Sequence, residues 1–200
     1  TKTPVGAIVR VQPLEKGRGF VIGAGKDCKP RQYSTTDSGK TWSKPEPVDG
    51  GWARKVDTPT EVLTPKQPNA RACGDQVVFD LSRTSAEQAE ALCADGSVKV
   101  TTDGGVSWGD SGTAPGALAI SNRLEGGVLS TYAARIDPKC KGIQIAKVIK
   151  GRDAEPLGCV TATVPERTGA VAISVASGTG WLLIGEDTYT SKDLKAWTKA

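Results

Sequence analysis

The chain has no histidine and no methionine among its 200 residues. Without an imidazole, the common Ser-His and Cys-His nucleophile pairs are excluded, and so is every zinc site that needs a His ligand. The 5 cysteines include no Cys-x-x-Cys pair, which argues against a structural zinc or a thioredoxin-like redox motif. Disulfides in an oxidising compartment are the reading that remains. No apolar run is long enough to span a membrane. No leader peptide stands at Thr1-Lys-Thr-Pro4, an abrupt opening that fits a mature secreted domain or an ectodomain cut from an anchor. Basic residues give a net charge of +4, but they are scattered through such groups as Arg10, Lys16 and Arg18, Lys139 and Lys141, and Lys147, Lys150 and Arg152. No Lys/Arg run is interleaved with aromatics, so nucleic acid is not an expected partner. Gly23-Ala-Gly25-Lys26 and Asp49-Gly50-Gly51 lack the spacing and the following helix of a phosphate loop.

What the chain does have is repetition, which outranks other readings. Ser34-Thr-Thr-Asp-Ser-Gly-Lys-Thr-Trp42 recurs as Val100-Thr-Thr-Asp-Gly-Gly-Val-Ser-Trp108. In each copy a short acidic side chain, Asp37 or Asp103, is placed to accept from backbone N–H groups ahead of it. Gly39 and Gly105 supply the positive φ of a tight turn. Thr35, Thr41, Thr101 and Ser107 can add hydroxyl bonds, and Trp42 and Trp108 offer large apolar faces to neighbouring sheets. An eroded third copy, Thr190-Ser-Lys-Asp-Leu-Lys-Ala-Trp197, keeps Thr190 and Trp197 in register, with Asp193 taking over the turn one position late.

The pattern Ser/Thr-x-Asp-x-Gly-x-Thr/Ser-Trp resembles the Asp-box, or BNR repeat, of the sialidase-like β-propellers. There it is a hairpin turn that builds the fold and performs no chemistry. The resemblance implies an all-β propeller.

The residues around the boxes agree. Apolar hairpins open at Gly6, Gly74, Gly116 and Gly169, and second strands follow at Gly19–Gly23, Ala89–Cys93, Gly127–Tyr132 and Gly180–Gly185. With 24 Gly and 12 Pro, short strands alternate with turn signals throughout. One domain over 1–200 is expected, with antiparallel blades near 4–45, 73–113, 114–161 and 167–200. The interval from Gly6 to Gly74 exceeds the roughly 40–50 residues of one four-stranded blade. Its excess, 46–72, is either an insertion or a fifth, degenerate blade. Ser85 to Leu92 has a helix-favouring composition, and only the repeat alignment makes part of it a strand. The third unit lacks a box and has instead the alternating strand Gly142–Ile149. Several disulfide connectivities are open. Cys140 with Cys159 would bracket that strand, Cys73 with Cys93 would flank the first hairpin of the second blade, and Cys28 would be left over.

Sialidases resemble one another in an arginine triad, a Tyr nucleophile with a Glu partner, and an Arg-Ile-Pro motif. Arg135-Ile-Asp-Pro138 echoes the last poorly and follows two boxes instead of preceding them, while Tyr132 and Tyr189 read as strand packing. No catalytic residue, metal ligand or cofactor is assigned. The expected function is an extracytoplasmic protein-interaction or assembly propeller on the cell envelope, a possibility that the resemblance implies, since non-enzymatic propellers of that family include sorting receptors and assembly factors. A carbohydrate-binding propeller using Trp52 or Trp181 as a stacking platform is the alternative, with a cell-surface glycan as partner; a glycoside hydrolase comes third. Trp52, Arg54 and Lys55 are the candidate contact residues, the competing reading being that Trp52 lids an adjacent blade.

Overall fold

The computed structural model describes residues 5, 7–13, 17–48, 51–125, 127–166, 169–176 and 179–200. Gly6, Lys16, Asp49 and Gly50, singled out above, lie outside them. The described chain is all β, with no helix.

Its strands form successive antiparallel meanders. The first comprises β1 (Ala7–Pro13), β2 (Gly19–Ala24), β3 (Pro30–Thr35) and β4 (Glu46–Pro47). The boundary expected at residue 45 is corrected, since Glu46 and Pro47 pair with β3 and complete the first meander; within the rest of the 46–72 segment lies a two-stranded ribbon, β5 (Ala53–Arg54) with β6 (Val62–Leu63). The next meander is β7 (Val78–Arg83), β8 (Ala89–Cys93), β9 (Ser97–Thr101) and β10 (Gly109–Thr113). After it come β11 (Ala117–Glu125), β12 (Val128–Arg135), β13 (Gly142–Ile149) and β14 (Arg152–Thr161). These two meanders join edge to edge through one parallel bridge, Thr113 to Asp153. The last meander is β15 (Val171–Ala176), β16 (Thr179–Ile184), β17 (Asp187–Ser191) and β18 (Thr198–Lys199).

The first strand of each unit packs beside the first strand of the next. β1 touches β5, β5 touches β7, β7 touches β11, and β11 touches β15. Burial follows from this stacking. In β15, Val171, Ile173 and Val175 are buried while Ala172, Ser174 and Ala176 are exposed, the period-2 alternation of a strand with one covered face. The covered face meets Tyr132, Ile143, Ile145 and fully buried Leu182. A second apolar layer, including Leu92, Val98, Ile120 and Val148, lies between the two central meanders. A third joins the ribbon, through Val62, to Val78 and Ala91.

β8 shows why local propensity fails at Ser85 to Leu92. All five residues of Ala89–Cys93 are buried, because sheets or ribbon cover both faces, and tertiary burial outweighs the helical preference of Ala and Glu. Another departure is at Gly74, where the expected strand is a turn and β7 begins only at Val78.

A feature absent from the sequence reading recurs in three units. The opening hairpin carries a β-bulge at its second or third residue, at Val9, Phe79 and Leu118, where one residue of the first strand has no partner in the register. Bulges bend a strand and re-aim the side chains that follow. The first paired residues after the bulge are Arg10, Asp80 and Ala119.

Two disulfides close the structure, Cys73–Cys93 and Cys140–Cys159. Cys28 is free and exposed.

Candidate functional site

The Asp-bearing turns hold themselves together. Asp37 Oδ1 accepts from Thr41 N at 2.9 Å and Oδ2 from Thr41 Oγ1 at 2.6 Å. Thr35 Oγ1 donates to Asp37 Oδ1 at 2.8 Å and accepts from Gly39 N at 2.9 Å. Asp103 repeats the set with Thr101, Val106 and Ser107, and Thr101 Oγ1 accepts from Gly105 N at 3.1 Å. Gly105 sits at φ 86°, and a Cβ there would meet Thr64 at 2.5 Å, so the turn is fitted against the segment after β6. In the third turn the hydroxyl is Ser191, not Thr190. Ser191 Oγ donates to Asp193 Oδ1 at 3.1 Å and accepts from Leu194 N at 2.9 Å, while Asp193 Oδ1 accepts from Lys195 N and Ala196 N. Thr190 instead pairs with Thr198 in the ladder. This turn is one residue shorter, and Leu194, at φ 62°, takes the place of the glycine.

Hydrogen bonds from the threonine at the end of the turn hold the Asp37 carboxyl down at about 2, and the corresponding bonds from Ser107 hold Asp103 below the ordinary carboxylate range. A depressed folded-state pKa means that these groups stabilise the fold above about pH 4 and lose that contribution as pH falls towards the folded value. The double substitution Asp37→Asn with Asp103→Asn is therefore expected to lower the melting temperature at neutral pH, with the gap to wild type narrowing below about pH 4. Thermal melts across acid pH check this; loss of binding at unchanged stability would contradict a structural role.

Trp52 does not stand on the surface. It is 2% exposed, its Nε1 donates to Ser85 O at 3.0 Å, and its ring meets Trp108 edge-on at 6.0 Å between centroids. The ligand-facing reading is corrected accordingly, because a ring covered on all sides has no face to offer. Lys55 is engaged as well, bonding Glu61 at 2.8 Å and Asn69 at 2.7 Å. Arg135, the start of the sialidase-like echo, is buried against Gln144, with Nε to Oε1 at 2.7 Å, and pairs with Asp137.

Arg54 is different. It lines a cleft of about 890 Å³ together with inner-strand residues Arg10 and Val11 of β1, Asp80 and Arg83 of β7, and Ile120 of β11. The first and last meanders both contribute to its walls, the latter through β15 and through Trp181 and Leu183 of β16. That size falls in the range of ligand sites. Burial, and then the nearby Arg83, lower Arg10 to about 10, against the opposing pull of Asp80. Asp80 is pushed up by burial, although Ile120 N and Leu81 N donate to it at 2.8 Å each and Arg54 and Arg10 favour its charge.

Sequence reading missed this cluster because Arg10, Arg54 and Arg83 are far apart in the chain. Only the strand register makes positions Arg10 and Asp80 equivalent, once the strands are aligned on their bulges.

A second acidic residue is sealed between the central meanders. Glu90, 1% exposed, accepts from Ser111 Oγ at 2.6 Å and from Thr131 Oγ1, and burial pushes its carboxyl up. A raised folded-state pKa means that the native form keeps a proton the unfolded chain has released. This group's contribution to stability therefore falls as pH rises above the unfolded value of about 4.5, with a slope no steeper than about 1.4 kcal/mol per pH unit. Glu90→Gln should remove that slope. Urea midpoints of both proteins from acid to neutral pH test it, and parallel profiles would refute it.

No family model matches the chain, and no curated protein does. Solved structures do match. A structure described as YCF48 bound to D1 peptide aligns over 99% of this chain and 68% of its own, at 15% identity and a TM-score of 0.54. YCF48 from Cyanidioschyzon merolae aligns over 100% and 86%, at 14% identity and 0.51. The SapL1 lectin in complex with alpha methyl fucoside aligns over 100% and 81%, at 13% identity and 0.58. At such identities the likeness speaks to the fold alone, and the fold is a β-propeller.

Proposed function

We propose that the chain is an extracytoplasmic, non-catalytic propeller that binds a protein through the cleft among its inner strands. In this reading the four-stranded meanders are four blades, the β5–β6 ribbon is an insertion lodged between the first and second, and the turns at Asp37, Asp103 and Asp193 are Asp-boxes of the sialidase-like kind.

The observation that carries the proposal is the cleft, a concave site that gathers Arg10, Arg54 and Arg83 beside exposed apolar side chains. Arginine and tryptophan together are enriched at energetically dominant protein contacts. Two disulfides favour an oxidising compartment. That YCF48 has been seen with a peptide is consistent with a propeller of this shape gripping protein.

A carbohydrate reading has one specific observation in its favour: Trp181 is 50% exposed at the cleft, where its ring could stack on a sugar. Retention from source-cell envelope extract on immobilised chain, read by both proteomics and glycan analysis, separates the two. The proposal expects a defined protein, retained by wild type and lost with Trp181→Ala. Glycan enrichment without protein would put the lectin reading ahead, and turnover of a chromogenic glycoside would refute the non-catalytic role.

A further inference from the structure

The cleft joins two surfaces of different chemistry. One is apolar and open to solvent: Ile8 is 47% exposed, Val11 63%, Trp181 50% and Leu183 38%. With Ile136, at 52%, five such side chains line one concavity and differ from the singly scattered apolar residues normal on a surface. The other is cationic. Arg10, Arg54 and Arg83 share the lining with Asp80 and the exposed Glu166, leaving positive charge in excess.

Asp80 is already occupied by backbone donors, Leu81 N on Oδ1 and Ile120 N on Oδ2. Arg54 Nε is buried and has no hydrogen-bond acceptor among the described residues. A guanidinium in a partly dehydrated site binds a carboxylate with paired, charge-assisted hydrogen bonds.

Resting on the protein-binding reading, we infer that the cleft takes an extended protein segment bearing an aspartate or glutamate beside apolar side chains. The carboxylate meets Arg54, and the apolar groups lie against Trp181 and Val11. The arginines select the charge, and the exposed apolar wall supplies the buried area.

A phage-displayed library of random short peptides, panned on the full chain and on its Arg54→Gln form, tests this. The expected result is enrichment of Asp or Glu next to Leu, Ile, Val or Phe. A fluorescein-labelled peptide of the selected sequence should then bind Arg54→Gln at least about tenfold more weakly, with circular dichroism and melts confirming that the variant is folded. Trp181→Ala, a change at an exposed position, should weaken the same peptide without altering the melt.

Selection of neutral or basic peptides, or indifference to Arg54→Gln, would overturn the inference while leaving protein binding intact. Recovery of no peptide by a chain that still retains an envelope protein would overturn it as well. The converse, acidic peptides captured through Arg54 by a chain that retains no envelope protein, would uphold the cleft chemistry and sink the parent reading.

Discussion

Trp52→Ala is expected to destabilise the protein by about 3–5 kcal/mol, the usual cost of truncating a buried Trp to Ala. The ring is 2% exposed and packs edge-on against Trp108 at 6.0 Å, so its removal leaves a cavity beside the Trp of the second Asp-bearing turn. It also strips Ser85 O of its indole donor. For a domain whose whole stability is of the order of 5–15 kcal/mol, that is a large share. Trp52→Phe should keep most of the apolar contact and lose mainly the hydrogen bond, about 1 kcal/mol. Urea denaturation of the three proteins checks the ordering. Unchanged stability in Trp52→Ala, with a loss of partner binding, would restore Trp52 as a contact residue.

Removing the Cys140–Cys159 bridge should cost about 3 kcal/mol, because it closes a loop of 19 residues and so restricts the unfolded chain. Cys140 precedes β13 and Cys159 lies in β14, the pair of strands whose register runs from Gly142–Thr161 to Ile149–Arg152. The bridge therefore ties the unit that has no Asp-bearing turn. Cys140→Ala with Cys159→Ala is the test, alanine being chosen because a serine hydroxyl would be buried without an assured partner. Mass spectrometry of the alkylated, non-reduced wild type should find one modified cysteine, Cys28. Modification of Cys140 or Cys159 there, or equal urea midpoints for wild type and variant, would contradict the assignment.

The parts of this molecule that were legible in its sequence are those fixed by local chemistry. An Asp flanked by hydroxyls, a glycine two positions on and a following Trp encode a turn almost by themselves, so Asp37 and Asp103 could be placed without neighbours. The eroded third copy was legible only in part. Asp193 was identified, but its hydroxyl partner shifts from Thr190 to Ser191 because the turn is a residue shorter and Leu194 accepts a positive φ. β8 emerged from repeat alignment against its own propensity, since what makes Ala89–Cys93 a strand is burial on both faces.

The candidate site was the least legible part. Trp52 is an isolated aromatic beside cations in the chain, yet isolation in sequence says nothing about what packs over a ring. Arg10, Arg54 and Arg83 belong to three different inner strands and converge only when those strands are brought together. The bulges at Val9 and Phe79 that put Arg10 and Asp80 in equivalent positions have no residue signature in the chain.

The most direct test of the central claim, that a protein partner is gripped at the inner strands, is hydrogen–deuterium exchange of the chain alone and with the protein it retains from envelope extract. Binding at the cleft predicts added protection in β1, β5, β15 and β16, with the outer strands β4, β10 and β18 unchanged. Protection confined to those outer strands, or to the turns at Asp37 and Asp103, would contradict it.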